Sequence, residues 1–142
     1  MERTAAAQWT GDLRSGTGSI RLGSGAFEGP YSFKTRFEMA PGTNPEELLG
    51  AAHAACFSMA LSAGLAKAGH SPKKVETTAK VQLEKVGEGF GITRIDLTTH
   101  GEVPGITEAE FLTLAEGAKV NCIVSRALAS VPMTLQATFT AG

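Results

Sequence analysis

Cysteine is scarce in this chain, with only two in 142 residues. A scaffold of several disulfides is therefore excluded, and the fold has to rest on a hydrophobic core, for which the chain is long enough. Neither sign of charge is in excess. Thirteen basic residues face fourteen acidic ones, for a net charge of −1, and no basic stripe is present. The electrostatic footprint of a nucleic-acid binder is missing. Long hydrophobic runs are missing too: the longest, 51–66, is too short to span a membrane and is broken by His53 and Ser58. The N-terminal "MERTAAAQWTGDLRSG" has no signal-peptide pattern. These absences place the chain in the cytoplasm, with no nucleic acid and no membrane among its expected partners. In a reducing compartment two cysteines are reactive, metal-bound or inert sooner than they are a structural staple.

What is present alternates in type. "TAAAQWTGDL" (4–13) and "GTGSIRLGSGAF" (16–27) read as short strands broken by glycine. "YSFKTRFEM" (31–39) reads as a strand, with Tyr31, Phe33, Thr35, Phe37 and Met39 on one face and Ser32, Lys34, Arg36 and Glu38 on the other. A helix starts at Pro45. "KVETTAKVQLEKV" (74–86) puts Val75, Thr77, Ala79, Val81 and Leu83 on one face, and "ITRIDLTTHGEV" (92–103) is its expected hairpin partner. "ITEAEFLTLAEGAKV" (106–120) is helical, capped by Thr107 with Glu110 as its capping-box acid. "NCIVSRALAS" (121–130) reads as a short second helix, and "VPMTLQATFTA" (131–141) as a closing strand. This order predicts an α+β fold with a largely antiparallel sheet, in one domain over 1–142.

The opening of the long helix is strongly signalled. Asn44 suits the N-cap, Pro45 the first helical position and Glu47, three after Asn44, the capping-box acid, with Glu46 beside it in the first turn, where the helix dipole favours acids. Beyond them the sequence "LLGAAHAACFSMAL" leaves almost no polar stripe, which predicts a helix buried on all sides. Cys56 lies in its middle. The simplest reading makes it a small buried hydrophobe, since free cysteine is among the most buried residue types. The second cysteine opens another. Cys122 follows a helix break at Asn121, and a thiol at a helix start ionises more easily. Two such thiols form a redox pair if the fold brings them together.

Taken together, "WTGDL" (9–13), "TRFE" (35–38), "GTNPEELLGAAHAACFSMAL" (42–61), "VPGI" (103–106) and "NCIVSRAL" (121–128) resemble the OsmC (osmotically inducible protein C) family, which is related to the organic hydroperoxide resistance proteins. The resemblance runs over nearly the whole chain. It implies an intertwined α+β homodimer acting as a thiol peroxidase on organic hydroperoxides, with an external dithiol reductant and no cofactor or metal. It assigns Cys56 as the peroxidatic thiol, Cys122 as the resolving thiol, Arg36 as the active-site arginine and Glu46 as its partner. One departure is visible. The second motif of the family reads Gly-Cys-Pro, and here it is Asn121-Cys122-Ile123.

The chemistry fits these residue types. Peroxide reduction needs a thiolate, apolar burial disfavours one, and a nearby guanidinium can reverse that. Attack on the O–O bond leaves a sulfenic acid, which a second thiol condenses to a disulfide before over-oxidation. Glu46 and Cys56 are ten residues apart on one helix, about 15 Å along its axis. If Glu46 orients an arginine over a thiolate, that thiolate more easily belongs to a second subunit. His53, three residues before Cys56, is read as a buried, hydrogen-bonded structural residue, and Ser125 and Arg126 as cap and surface residues. A zinc site from His53, Cys56 and Cys122 would hold only three ligands without paired spacing. Two further classes stay open at this stage: a non-enzymatic carrier of apolar small molecules, and an interaction protein with two inert thiols.

Overall fold

The computed structural model describes all 142 residues. In chain order the elements are strands β1 (Ala5–Thr10), β2 (Thr17–Leu22) and β3 (Glu28–Tyr31), helices α1 (Phe33–Phe37) and α2 (Pro45–Lys67), strands β4 (Lys74–Val86) and β5 (Gly89–Glu102), helices α3 (Glu108–Asn121) and α4 (Ile123–Ala127), and strand β6 (Met133–Thr140). This is the α+β fold the sequence predicts. The chain divides into two compact units, Met1–Leu48 and Leu49–Gly142.

The first unit is a three-stranded antiparallel meander in the order β1-β2-β3. Gly18 sits opposite both Trp9 and Tyr31, whose rings lie 5.3 Å apart. A Cβ at Gly18 would collide with both rings, so only glycine lets them close over the strand. The predicted strand over 31–39 is not there. Tyr31 ends β3, and Phe33–Phe37 is a helical turn instead. Local hydrogen bonding decides this. The Ser32 hydroxyl accepts from the Thr35 N–H at 3.2 Å, and the Thr35 hydroxyl oxygen accepts from the Ser32 N–H at 2.9 Å. That reciprocal cap outweighs a period-two apolar pattern, because it satisfies donors that a helix start otherwise leaves open. Arg36 therefore projects from a helix and not from the polar face of a strand.

The second unit carries the main core. β4 and β5 form a long antiparallel hairpin closed by the two residues Gly87 and Glu88, and β6 pairs with the far side of β5 in parallel. The sheets are largely antiparallel, as expected, and this edge is the one parallel pairing. A parallel neighbour needs a crossover, and α3 with α4 supplies it between β5 and β6. On α2, Phe57, Leu61 and Leu65 recur at helical spacing and are fully buried, in one cluster with Ile95, Leu97, Val103, Phe111 and Ala115. A polar ladder beside them is satisfied: the Ser58 hydroxyl donates to Thr77 at 2.7 Å, Thr77 pairs with Thr99 at 3.0 Å, and Thr99 donates to the Glu76 carbonyl at 3.0 Å. Gly101 faces the Phe111 ring with no room for a Cβ, which lets α3 lie close on β5.

α2 itself is buried on one side only. Ala52, Ala55, Met59, Ala63 and Ala66 form an exposed stripe, with Met59 at 75% exposure. The expectation of burial all round is thus met by half the helix within one chain. At 23 residues α2 is long and apolar enough to cross a bilayer by length and composition, but its Phe57–Leu61–Leu65 edge is spent on the core.

Leu61→Ala is expected to lower the unfolding free energy by about 2–5 kcal/mol, since it opens a cavity in a fully closed core. Ser32→Ala removes only one cap of a single-turn helix and should cost about 1 kcal/mol. Urea unfolding of the two variants checks both values. No loss in Ser32→Ala would mean that α1 is not held by its cap.

Candidate active site

The two cysteines meet in the second unit. Cys56 projects from the middle of α2, and Cys122 occupies the residue between α3 and α4 with an extended ψ of 129°. Both are free thiols, and they are hydrogen-bonded to each other. Exposure separates them. Cys122 is 1% exposed, whereas Cys56 is only partly buried, less shielded than its alanine-rich surroundings predict.

Their acidities also differ. Burial pushes the Cys56 thiol up, and its bond to Cys122 pushes the same way, against N–H donors from Val124 and Ile123. Burial alone would raise Cys122 as well. There the bond from Cys56, the Ser125 N–H and hydroxyl, and the Val124 N–H outweigh it, so the Cys122 thiol lies below its ordinary value. Within one chain the N–H groups at the first turn of α4 thus act on both sulfurs, and they favour ionisation of the buried one. The sequence anticipated both directions: a raised thiol in apolar surroundings and a lowered one at a helix start.

Ile123 acquires a specific meaning here. As the first residue of α4 it is 75% exposed, and its N–H is one of the donors reaching the Cys56 sulfur. A proline at the first helical position has no N–H to give. The departure from Gly-Cys-Pro therefore adds a donor to the Cys56 site.

His53 and Ser125 complete the cluster. His53 is fully buried one turn before Cys56, and its Nε2 lies 2.7 Å from the Ser125 hydroxyl. Its Nδ1 is buried with no partner, a loss worth about 1–3 kcal/mol. Burial pushes His53 below its usual range, so the ring is held neutral. Its reading as a buried, hydrogen-bonded residue agrees with this placement. Ser125 is a correction. It is 4% exposed and not a surface residue, and its hydroxyl touches both His53 and Cys122. The missed signal was spacing: Ser125 stands three after Cys122, as His53 stands three before Cys56, and such pairs share a helix face.

Arg36 and Glu46 meet in the first unit. Arg36 gives Glu46 a two-pronged contact, with Nε at 3.2 Å from both carboxylate oxygens and Nη2 at 2.8 Å from Oε1. The Glu46 side chain is 9% exposed and the Arg36 side chain 40%. A planar fork so held is fixed in direction, unlike a free surface arginine. Glu46 is positioned by the cap of α2: Asn44 Oδ1 accepts from the Glu47 N–H at 2.8 Å, and Asn44 Nδ2 donates to the Thr35 carbonyl at 3.1 Å, which ties α1 to the helix start. Glu47 does not close a capping box; its carboxylate takes the Thr43 hydroxyl at 3.0 Å. No cluster of three potential metal ligands is present.

Ile123→Pro should shift alkylation of Cys56 to higher pH. The substitution suits the first position of a helix but deletes a donor that favours the Cys56 thiolate, so the sign is a rise. The pH profile of Cys56 labelling, read peptide by peptide, is the measurement. An unchanged or lowered profile would show that the Ile123 N–H does not act on the sulfur.

Comparison with known proteins identifies the family. Residues 38–136 match the family model described as OsmC-like protein. The chain is 49% identical over 129 residues to peroxiredoxin OsmC of Escherichia coli (strain K12), covering 90% of each. It is 38% identical over 87 residues to an organic hydroperoxide resistance protein of Xanthomonas axonopodis pv. citri, covering 61% of this chain and 59% of that protein. Among solved structures, the organic hydroperoxide resistance protein of Elizabethkingia anophelis superposes with a TM-score of 0.71 at 26% identity, covering 100% of this chain and 99% of that one. OhrB of Bacillus subtilis shares the fold with a TM-score of 0.74 at 24% identity, over 94% and 97% of the two chains. With its two thiols in contact and most of its length matched, the chain belongs to the OsmC family.

Proposed function

We propose that this protein is a cytoplasmic thiol peroxidase that reduces organic hydroperoxides to alcohols, built as one OsmC-like domain over 1–142. The observation that carries this reading is the contact between two free thiols of unequal exposure and acidity. The names of the relatives, peroxiredoxin and organic hydroperoxide resistance protein, point to the same class of reaction.

Accessibility assigns the roles. A hydroperoxide reaches the partly exposed Cys56 before the closed-off Cys122, so Cys56 is peroxidatic although Cys122 is the more acidic within one chain. The Cys56 thiolate attacks one peroxide oxygen, an S–O bond forms as O–O breaks, and the departing alkoxide takes a proton to leave as an alcohol. Cys122 then attacks the sulfenic sulfur. The S–S bond forms, the S–O bond breaks, and water leaves once the hydroxide is protonated. An external dithiol returns the disulfide to two thiols by exchange.

Cys56 needs a cation to ionise, since burial works against it. Arg36, aimed by Glu46, supplies it from a second copy of the chain. The distance of about 15 Å along α2 between Glu46 and Cys56 favours that arrangement over one in the same chain. The exposed stripe of Ala52, Ala55, Met59, Ala63 and Ala66 gives such a homodimer an apolar helix face to bury.

Exposure of the reduced protein to one equivalent of an alkyl hydroperoxide is the direct test. Loss of both thiols to a disulfide is expected in the wild type. Cys56→Ser should consume no peroxide, and Cys122→Ser should consume one equivalent quickly and then stall or over-oxidise. Persistence of both thiols in the wild type would overturn the reading and return the protein to the carrier class.

The shared site has its own test. Cys56→Ser and Arg36→Met are each expected to be inactive or nearly so, while their co-expression restores activity, because each mixed dimer then holds one intact site. A mixture as inactive as its parents would place both residues in one chain or remove Arg36 from the site.

A further inference from the structure

His53 asks for an explanation that packing does not provide. A buried ring with one nitrogen unpartnered is a polar group in an apolar helix, where leucine or methionine would fill the space without loss. Its other nitrogen is spent on Ser125 at 2.7 Å, and the Ser125 hydroxyl in turn touches the Cys122 sulfur. The contacts run from α2 to α4 and end on a reacting atom.

We propose that Ser125 and His53 act as a positioning pair for disulfide formation: the His53 Nε2–H donates to the Ser125 oxygen, which turns the hydroxyl proton onto the Cys122 sulfur and holds it as the attacking thiolate. This deepens the peroxidase reading above and rests on it. Ser125 is the catalytic residue of the two, since it touches the reacting sulfur, and His53 acts through it. The direction of donation follows from chemistry. A thiolate accepts and does not donate, so the hydroxyl must give its proton to sulfur, and its oxygen is then free to accept from the ring. Burial keeps the imidazole neutral, which suits a donor of fixed orientation and not a base that gains charge.

The step balances without a further reactant. Cys122 loses its proton to solvent as the charge settles on sulfur under the Ser125 hydroxyl and the α4 amides. Its electron pair attacks the Cys56 sulfenic sulfur, the S–S bond forms as S–O breaks, and the departing hydroxide takes a proton from solvent and leaves as water. Sulfur is oxidised at Cys122 and reduced at Cys56, and His53 is unchanged. The groups that act on Cys122 besides solvent are Cys56 and the Ser125 and Val124 donors; Arg126, its neighbour on α4, is exposed. The pair therefore acts on the second half of the cycle, where Cys122 is the attacking sulfur.

Single-turnover kinetics separate the two halves. Reduced protein is mixed with one equivalent of an alkyl hydroperoxide, the sulfenic acid is trapped with a dione, and the disulfide is measured by mass after acid quench. Ser125→Ala and His53→Leu should slow disulfide formation by about tenfold or more near neutral pH and move its pH profile upward. His53→Gln, whose amide can still donate to Ser125, should recover part of the loss. If His53→Leu does not fold, Ser125→Ala, which deletes a single oxygen, decides the matter with the pH titration of thiolate absorbance. A disulfide step at the wild-type rate and pH profile in folded Ser125→Ala overturns the proposal. A wild type that forms no sulfenic acid at all instead overturns the peroxidase reading beneath it.

Discussion

The seating of one edge of α2 in the core is the constraint on which the rest depends. Phe57, Leu61 and Leu65 are fully closed off in a cluster with Ile95 and Leu97 of β5, and Ser58 is locked onto Thr77, which in turn pairs with Thr99. A helix so held has no freedom to rotate about its axis, because a rotation would pull apolar area out of the core and strand a hydroxyl. That fixed rotation turns Cys56 and His53 toward the start of α4. Both depend on that core, of which Cys122 is itself a member.

α4 is the second part of the arrangement. It is a helix of one turn, and its first amides have no partner within it. Here they serve the sulfurs. The Val124 and Ile123 N–H groups favour negative charge on Cys56, and those of Ser125 and Val124 on Cys122. Free N–H groups at a short helix start favour negative charge in a site that otherwise opposes it. The extended ψ of Cys122 breaks the chain between α3 and α4 and makes this possible. The site also shows why exposure and acidity have to be weighed separately. Acidity within the chain favours Cys122, whereas access favours Cys56.

Much of the architecture was legible because it is written in local signals. The hairpin of β4 and β5 follows from period-two alternation around a glycine turn, and α3 from its Thr107 cap, whose hydroxyl oxygen accepts from the Glu110 N–H at 3.3 Å. Where two local signals competed, the apolar pattern over 31–39 was the weaker. It spaced Phe33, Thr35 and Phe37 as a strand would, yet the Ser32–Thr35 cap and the pairing limit of β3 make that segment a helical turn. The parallel edge of β6 was not readable either, since strand direction depends on how a crossover returns and leaves no periodicity of its own.

The sequence by itself determined the family, the identity of the two thiols, the arginine and glutamate and the capped start of α2, because each is a residue type at a fixed spacing within one segment or motif. The contact of Cys56 with Cys122, the burial of Ser125 and its bond to His53 were decided only by the tertiary structure. They bring together segments far apart in sequence, 72 positions for His53 and Ser125, and the register of such a contact is set by how Phe57, Leu61 and Leu65 fill the core. The exposed face of α2 belongs to the same class. Composition alone made the helix apolar on every side, and only packing revealed which side one chain can cover and which it leaves open.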